Sequence, residues 1–233
     1  MRQEPRPWIL AIDTGTSRIV VAAGNLDGSV VRVFSEPAGF RHGELLLMTV
    51  DRLLAEAGLH REQIQGIVVG TGPGAFTGLR VGLATAKTMA HALGLPLIGV
   101  STGSALIRAA AGHVAGHETP DSSLVLLVPA GPRDRVIVRN GEAPRILGDP
   151  GELEHLSGES LVAVDLEARA PEAAVAWGAA AHRQLGAALL EIGAQRLQLG
   201  QYDDPELLVP DYVTLPRGVR ASSGAIEWSH DAR

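Results

Sequence analysis

Apolar residues fall along this chain in two rhythms. Compact aliphatic and β-branched runs at residues 8–12, 19–23, 30–34, 67–69 and Leu97–Val100 have the length and branching of strands packed on a core. Asp13 ends the first run, Thr14-Gly15-Thr16-Ser17 turns the chain, and residues 25–28 form a second tight turn, so the first three strands make a meander. Between and after them the spacing changes to three and four. It predicts helices from His42 to a stop at Gly58, over residues 79–93, and over residues 102–111. The order βββαβαβα belongs to the actin-like, ribonuclease-H-like (ASKHA) class of α/β folds, which has two lobes.

The second half is less regular. Residues 124–128, 135–138 and 161–164 read as strands with a turn at Asn140-Gly141, and Pro171 opens an Ala-rich helix running to about residue 192. The expected division is an N-terminal lobe over 1–112, a smaller divergent lobe over 113–216 and a flexible tail over 217–233.

Two glycine-bearing segments carry the candidate chemistry. Asp13-Thr14-Gly15-Thr16 matches the strand-end turn at which nucleotide-binding members of this class hold phosphate and magnesium. Its carboxylate anchors a hard cation, while Gly and Thr offer donors to phosphate oxygens. A second such loop, needed for a working ATPase, is missing after residue 100, which makes Asp13, Thr14, Gly15 and Thr16 a vestigial phosphate site. The loop carrying Gly70, Gly72, Gly74 and Gly78 lacks the Walker lysine, since Thr77-Gly78-Leu79 stands where Gly-Lys-Ser or Gly-Lys-Thr is required. Gly78, Gly82, Ala86 and Ala90 recur every fourth residue instead and give the next helix a smooth strip on which another helix can pack closely.

The first helix adds to that picture. Leu46, Val50, Leu53, Leu54 and Ala57 share the face that packs on the sheet, whereas Leu45 and Met48 fall on the other side beside Arg52. Apolar side chains framed by charge mark a partner surface. Leu45, Met48 and Arg52, with Gly78, Gly82, Ala86 and Ala90, are therefore the expected helical interface.

Composition narrows the function. With 233 residues, 45% hydrophobic and 20% charged, the chain can bury a real core, and the absence of Cys removes disulfide and thiolate chemistry. Only 3% is aromatic and the net charge is −6, which argues against a free-standing nucleic-acid binder. No membrane span or signal peptide is read, so a cytoplasmic protein is expected. His113 and His117 have a metal-ligand spacing, but they sit in a polar loop with Gly116 and Pro120 and read as solvated. No nucleophile elbow or paired-carboxylate set is present. The expectation is a chain without catalytic residues or a metal site of its own.

Several separated motifs agree with this. Ile9-Leu-Ala-Ile-Asp13-Thr, Arg41-His42 with Leu45-Leu46-Leu47, Gly72-Pro-Gly-Ala-Phe-Thr-Gly-Leu-Arg80 and Leu97-Ile-Gly-Val-Ser-Thr102 together resemble the TsaB (YeaZ) family, densely over residues 8–106 and thinly afterwards. That resemblance implies an actin-like fold and a non-catalytic subunit. It implies pairing with a TsaD-type subunit that carries the ATP and metal, a TsaE-type ATPase as third member, and a homodimer when alone. The shared product is N6-threonylcarbamoyladenosine in tRNAs that read codons starting with A, with tRNA met only through the complex. The TsaD family has a His-x-x-x-His metal motif where this chain has Ser101-Thr102-Gly103-Ser104-Ala105. The turn over residues 129–134 departs from the family's Asp-Ala-Arg. The alternative reading is an actin-like-fold enzyme, either a small-molecule kinase or a glycoprotease-like peptidase.

Overall fold

The structure is a computed structural model that describes residues 7–39, 41–112, 123–130, 134–147, 151–156 and 158–213. His113, His117 and the expected tail over 217–233 lie outside the described residues, as do residues 131–133 of the divergent turn over 129–134.

Every residue of β1 (Trp8–Asp13) is buried, because this strand lies at the centre of a five-stranded sheet of order β3-β2-β1-β4-β5. Its neighbours are β2 (Arg18–Asn25), antiparallel, and β4 (Ile64–Gly70), parallel, with β3 (Val30–Pro37) and β5 (Leu97–Val100) at the edges. The two-residue period of the pleat sorts its side chains. Trp8, Leu10 and Ile12 pack in the layer with α1 (His42–Ala57) and α2 (Phe76–Leu93), while Ile9 and Ala11 join α3 (Thr102–Ala111) and α5 (Glu172–Gln198) on the other face. Gly58 closes α1 in the left-handed conformation, φ 64°, as its position in the sequence requires.

A second sheet is built from β6 (Leu124–Pro129), β7 (Arg135–Val138), β8 (Arg145–Leu147) and β9 (Ser160–Ala163), with a single helical turn α4 (Glu152–His155) before β9. Its order, β8-β7-β6-β9, repeats the β3-β2-β1-β4 arrangement of the first: an antiparallel meander with a parallel fourth strand beside the first. The expected βββαβαβα order therefore holds, and a reduced copy of its start follows.

Boundaries differ where tertiary contacts extend an element beyond its sequence pattern. β4 begins at Ile64, which pairs with Trp8. α2 begins at Phe76, through the Thr77-Gly78 pair that reads as loop. α5 runs to Gln198 rather than about residue 192, and near its end Arg196 Nη1 donates to the Gly99 carbonyl at 2.6 Å. β8 was not expected; its three residues carry too little pattern.

α5 crosses both sheets at very short range. A methyl group on Gly178 would lie 1.8 Å from the Ala163 carbonyl oxygen, on Gly186 2.9 Å from a Val33 methyl, and on Gly193 2.2 Å from a Val68 methyl. One apolar cluster consequently runs from Val68 and Ile98 through Leu106 and Leu189 to Leu126 and Val162. Replacing Gly193 with Leu forces overpacking against Val68, and the expected cost is about 3 kcal/mol, read as a lowered urea midpoint at unchanged m-value.

Candidate functional site

The Asp13–Thr16 turn lies under the Gly-rich loop. Asp13 is fully buried; its Oδ1 accepts from the Gly15 amide at 2.9 Å and its Oδ2 from the Thr102 hydroxyl at 2.6 Å. The same Thr102 oxygen accepts from the Gly72 amide at 3.1 Å, so one hydroxyl ties the carboxylate to the loop. Thr14 donates its hydroxyl to the Gly78 carbonyl at 2.7 Å, and the Ala75 amide donates to the Gly15 carbonyl at 2.7 Å. The contact has no spare room. Methyl groups on Gly70, Gly74, Gly78 and Gly82 would lie 1.8, 2.1, 2.0 and 2.2 Å from oxygens of Asp13, Gly15, Thr14 and Thr14 respectively. The Gly15 amide and the Thr14 hydroxyl face the turn's own carboxylate and loop, where a phosphate would need them turned outward.

This geometry corrects the reading of the smooth strip. Gly78, Gly82, Ala86 and Ala90 are buried against the chain's own first sheet and the Thr14 turn, so they form no outer face. Small residues every four positions signal close packing; they do not say against what. On α1, Met48 is 66% exposed and Arg52 lies at the surface, but Leu45 is partly buried and packs on the first-sheet core. Leu47, absent from the expected set, is exposed beside Met48. Arg52 bridges Glu36 at 2.6 Å and Glu56 at 2.8 Å with its guanidinium 4.6 Å from the Phe34 ring centre.

Further residues converge on Thr16. His42, at the start of α1, donates from Nε2 to the Thr16 carbonyl at 3.1 Å, and His182 of α5 is hydrogen-bonded through Nε2 to the Thr16 hydroxyl at 2.9 Å. Burial pushes the His182 pKa down. Ser17 donates from both its amide and its hydroxyl to the Asp165 carboxylate, each at 2.6 Å. Asp165 and Ala168 both have left-handed backbone, φ 56° and 58°, in the segment between β9 and α5. Arg18, Ser35, Asp165, His182 and Arg183 line a cleft of 640 Å³ between the sheets. Asp165 follows a strand run in the sequence, and His42 enters it only through the Arg41-His42 motif, while His182 carries no local signal; the Thr16 that both histidines meet is far away in the chain. Among the described residues, no three His, Cys, Asp or Glu side chains cluster as metal ligands, and no helix is long and apolar enough to cross a membrane.

Two sheets with repeated order, helices on both faces of the first and a turn at the end of its central strand define a protein of the actin-like, ribonuclease-H-like class. Within it, residues 33–172 match the sequence model of the TsaD family, tRNA N6-adenosine threonylcarbamoyltransferase, and the chain belongs to that family. Its relatives include TsaB of Escherichia coli, a tRNA threonylcarbamoyladenosine biosynthesis protein, 42% identical over 94 residues that cover 40% of each chain. They also include a tRNA N6-adenosine threonylcarbamoyltransferase of Cereibacter sphaeroides, 37% identical over 136 residues, 55% of this chain and 34% of that one. The chain thus spans well under two thirds of these relatives' length. YeaZ from Pseudomonas aeruginosa shares the fold, with TM-score 0.61 and 22% identity over 88% of this chain and 98% of that one.

The buried carboxylate sets a pH dependence. Burial raises the Asp13 pKa from 3.8 to about 6, against the lowering effect of its hydrogen bonds. The folded state then holds the proton more tightly than the unfolded one. Stability falls as pH rises from about 4 to about 6 and stays lower above, by about 3 kcal/mol for this group. In Asp13→Asn that part of the pH slope disappears, which chemical denaturation at stepped pH will read. Gly82→Leu collides with Thr14 and is expected to lower the melting temperature by several degrees; a native melting curve would overturn the inward placement of the strip.

Proposed function

We propose that this chain is a non-catalytic subunit that pairs with a TsaD-type relative in forming N6-threonylcarbamoyladenosine on tRNA. The carrying observation is the outer face of α1. Leu47 and Met48 stand exposed there, bordered by the Arg52–Glu36–Glu56 charges, which is the apolar centre and polar rim of a protein interface. Leu45 and Arg52 support that face from the core side and the rim. α2 lies beside α1 on the same side of the sheet, so its exposed residues extend the surface, whereas its small-residue strip does not take part.

The Asp13–Thr16 turn supports the absence of phosphoryl chemistry in this chain. Its carboxylate is enclosed, the Gly15 amide is engaged by that carboxylate and the Thr14 hydroxyl by the Gly78 carbonyl. ATP and metal belong on the TsaD-type partner, the TsaE-type ATPase is the third member, and tRNA is met through the assembly. Alone, the chain pairs with itself through the same face, in the cytoplasm. Residues 1–112 form the partner-binding lobe.

Leu47→Ser combined with Met48→Glu is expected to weaken binding to the TsaD-type partner at least about tenfold by titration calorimetry, with an unchanged melting temperature. Equal affinity would sink the α1 interface. Saturating ATP with magnesium is expected to leave the melting temperature of the isolated chain where it was. A nucleotide bound at 100 times its dissociation constant would raise stability by about 2.7 kcal/mol and turn the reading toward an actin-like kinase.

A further inference from the structure

After α5, residues 199–213 run as a strap along the outer edge of β5. The Asp203 amide donates to the Leu97 carbonyl at 2.9 Å, and the Asp211 amide to the Thr71 carbonyl at 2.8 Å. Side chains complete the attachment: the Gly99 amide donates to Asp203 Oδ2 at 2.7 Å, and the Thr71 hydroxyl to Asp211 Oδ2 at 2.7 Å. Leu208 turns inward onto Gly99 and the first-sheet core, and Tyr212 packs on Phe76 at 4.9 Å while accepting from Arg80 Nε at 3.0 Å.

The outward side of this well-anchored strap is apolar. Leu207 is 76% exposed and Val209 64%, and Leu199, Tyr202 and Tyr212 are exposed on the same segment. A free apolar side chain on a mobile loop is ordinary; here backbone and side-chain bonds fix the segment at both ends, so its outward side chains cannot fold away. Leu207 and Val209 stand two residues apart, at most about 7 Å, a span that two turns of a helix laid against them cover. The charge is one-sided. Asp203 is paired with Arg196 at 3.2 Å and Asp211 is bonded to the Thr71 hydroxyl, while Asp204 and Glu206 stand beside Leu207 with no Lys, Arg or His between residues 199 and 213. Carboxylates repel nucleic-acid phosphates and anionic lipid surfaces, so the complementary occupant is a protein.

We propose that the strap is a docking surface for a basic amphipathic helix of another protein, its apolar row on Leu207 and Val209 and its Lys or Arg residues toward Asp204 and Glu206. The strap touches α2 through Tyr212, but Leu207 and Val209 lie by β5, at the opposite side of the sheet from the β2–β3 pair that α1 covers, and the proposal does not rest on the pairing proposed above.

The test uses the full chain and a synthetic amphipathic helix of leucine and lysine, with the same helix carrying glutamate for lysine as control, in titration calorimetry at low and high salt. Expected is binding of the lysine peptide that weakens with salt, and none of the glutamate peptide. Leu207→Ser with Val209→Ser lowers that affinity about tenfold or more, Asp204→Lys with Glu206→Lys removes it, and Ile146→Ser on the second sheet leaves it unchanged. The altered side chains are exposed, so melting temperatures stay near that of the unaltered chain. Equal binding by the chain and both double variants overturns the proposal. So does a concentration-dependent rise in mass that Leu207→Ser with Val209→Ser abolishes, because a second copy then occupies the strap.

Discussion

The two sheets are held together by a helix that comes closer to them than any side chain would allow. Gly178, Gly186 and Gly193 of α5 face β9, the β2–β3 pair and β4, at distances where an added methyl would overlap backbone or valine atoms. Because the helix meets both sheets directly, the apolar layer on its inner side is shared, and Leu189, Leu106 and Leu126 belong to the same cluster. Close packing of this kind transmits displacement and does not absorb it. The Ser17–Asp165 pair and the Trp177 bond to the Ala110 carbonyl add polar ties along the same seam.

That seam gives the Asp13 turn its surroundings. With the sheets fixed and the loop from Gly70 to Gly78 pressed on the turn, the carboxylate sits in an apolar, enclosed position where burial outweighs two good hydrogen bonds. A carboxylate serving magnesium works best in the opposite setting, partly solvated. Around this motif the surroundings are glycine-on-backbone contact. Family membership and geometry thus bear on different matters: the first says which proteins the chain is related to, the second says what its own residues are placed to do.

Much of the fold was legible because its signals are local. The meander, the stop at Gly58, β5 and α3 each follow from a run of a few residues or one glycine. The candidate site was legible only in part. Asp13 and Thr14 announce a turn, but whether that turn is open depends on Thr102 and Gly74, which lie far along the chain. The periodic small residues of α2 carry the same ambiguity, since Gly82 reads alike whether it meets a foreign helix or Thr14. The glycines of α5, seven and eight residues apart, escape a search at spacing four, although they do more of the packing.

The edge of β5 has a consequence for how this chain can assemble. A terminal strand ordinarily offers a row of unpaired amides and carbonyls, and other chains add to it by extending the sheet. Here Asp203, with the Arg196 guanidinium, occupies those groups without being a strand. On the opposite edge, Arg32 and Arg52 close over the Phe34 ring of β3 beside Glu36 and Glu56. Strand addition is thus hindered at the β5 edge, and association there is steered toward side chains, where a few substitutions can change the partner without disturbing the sheet.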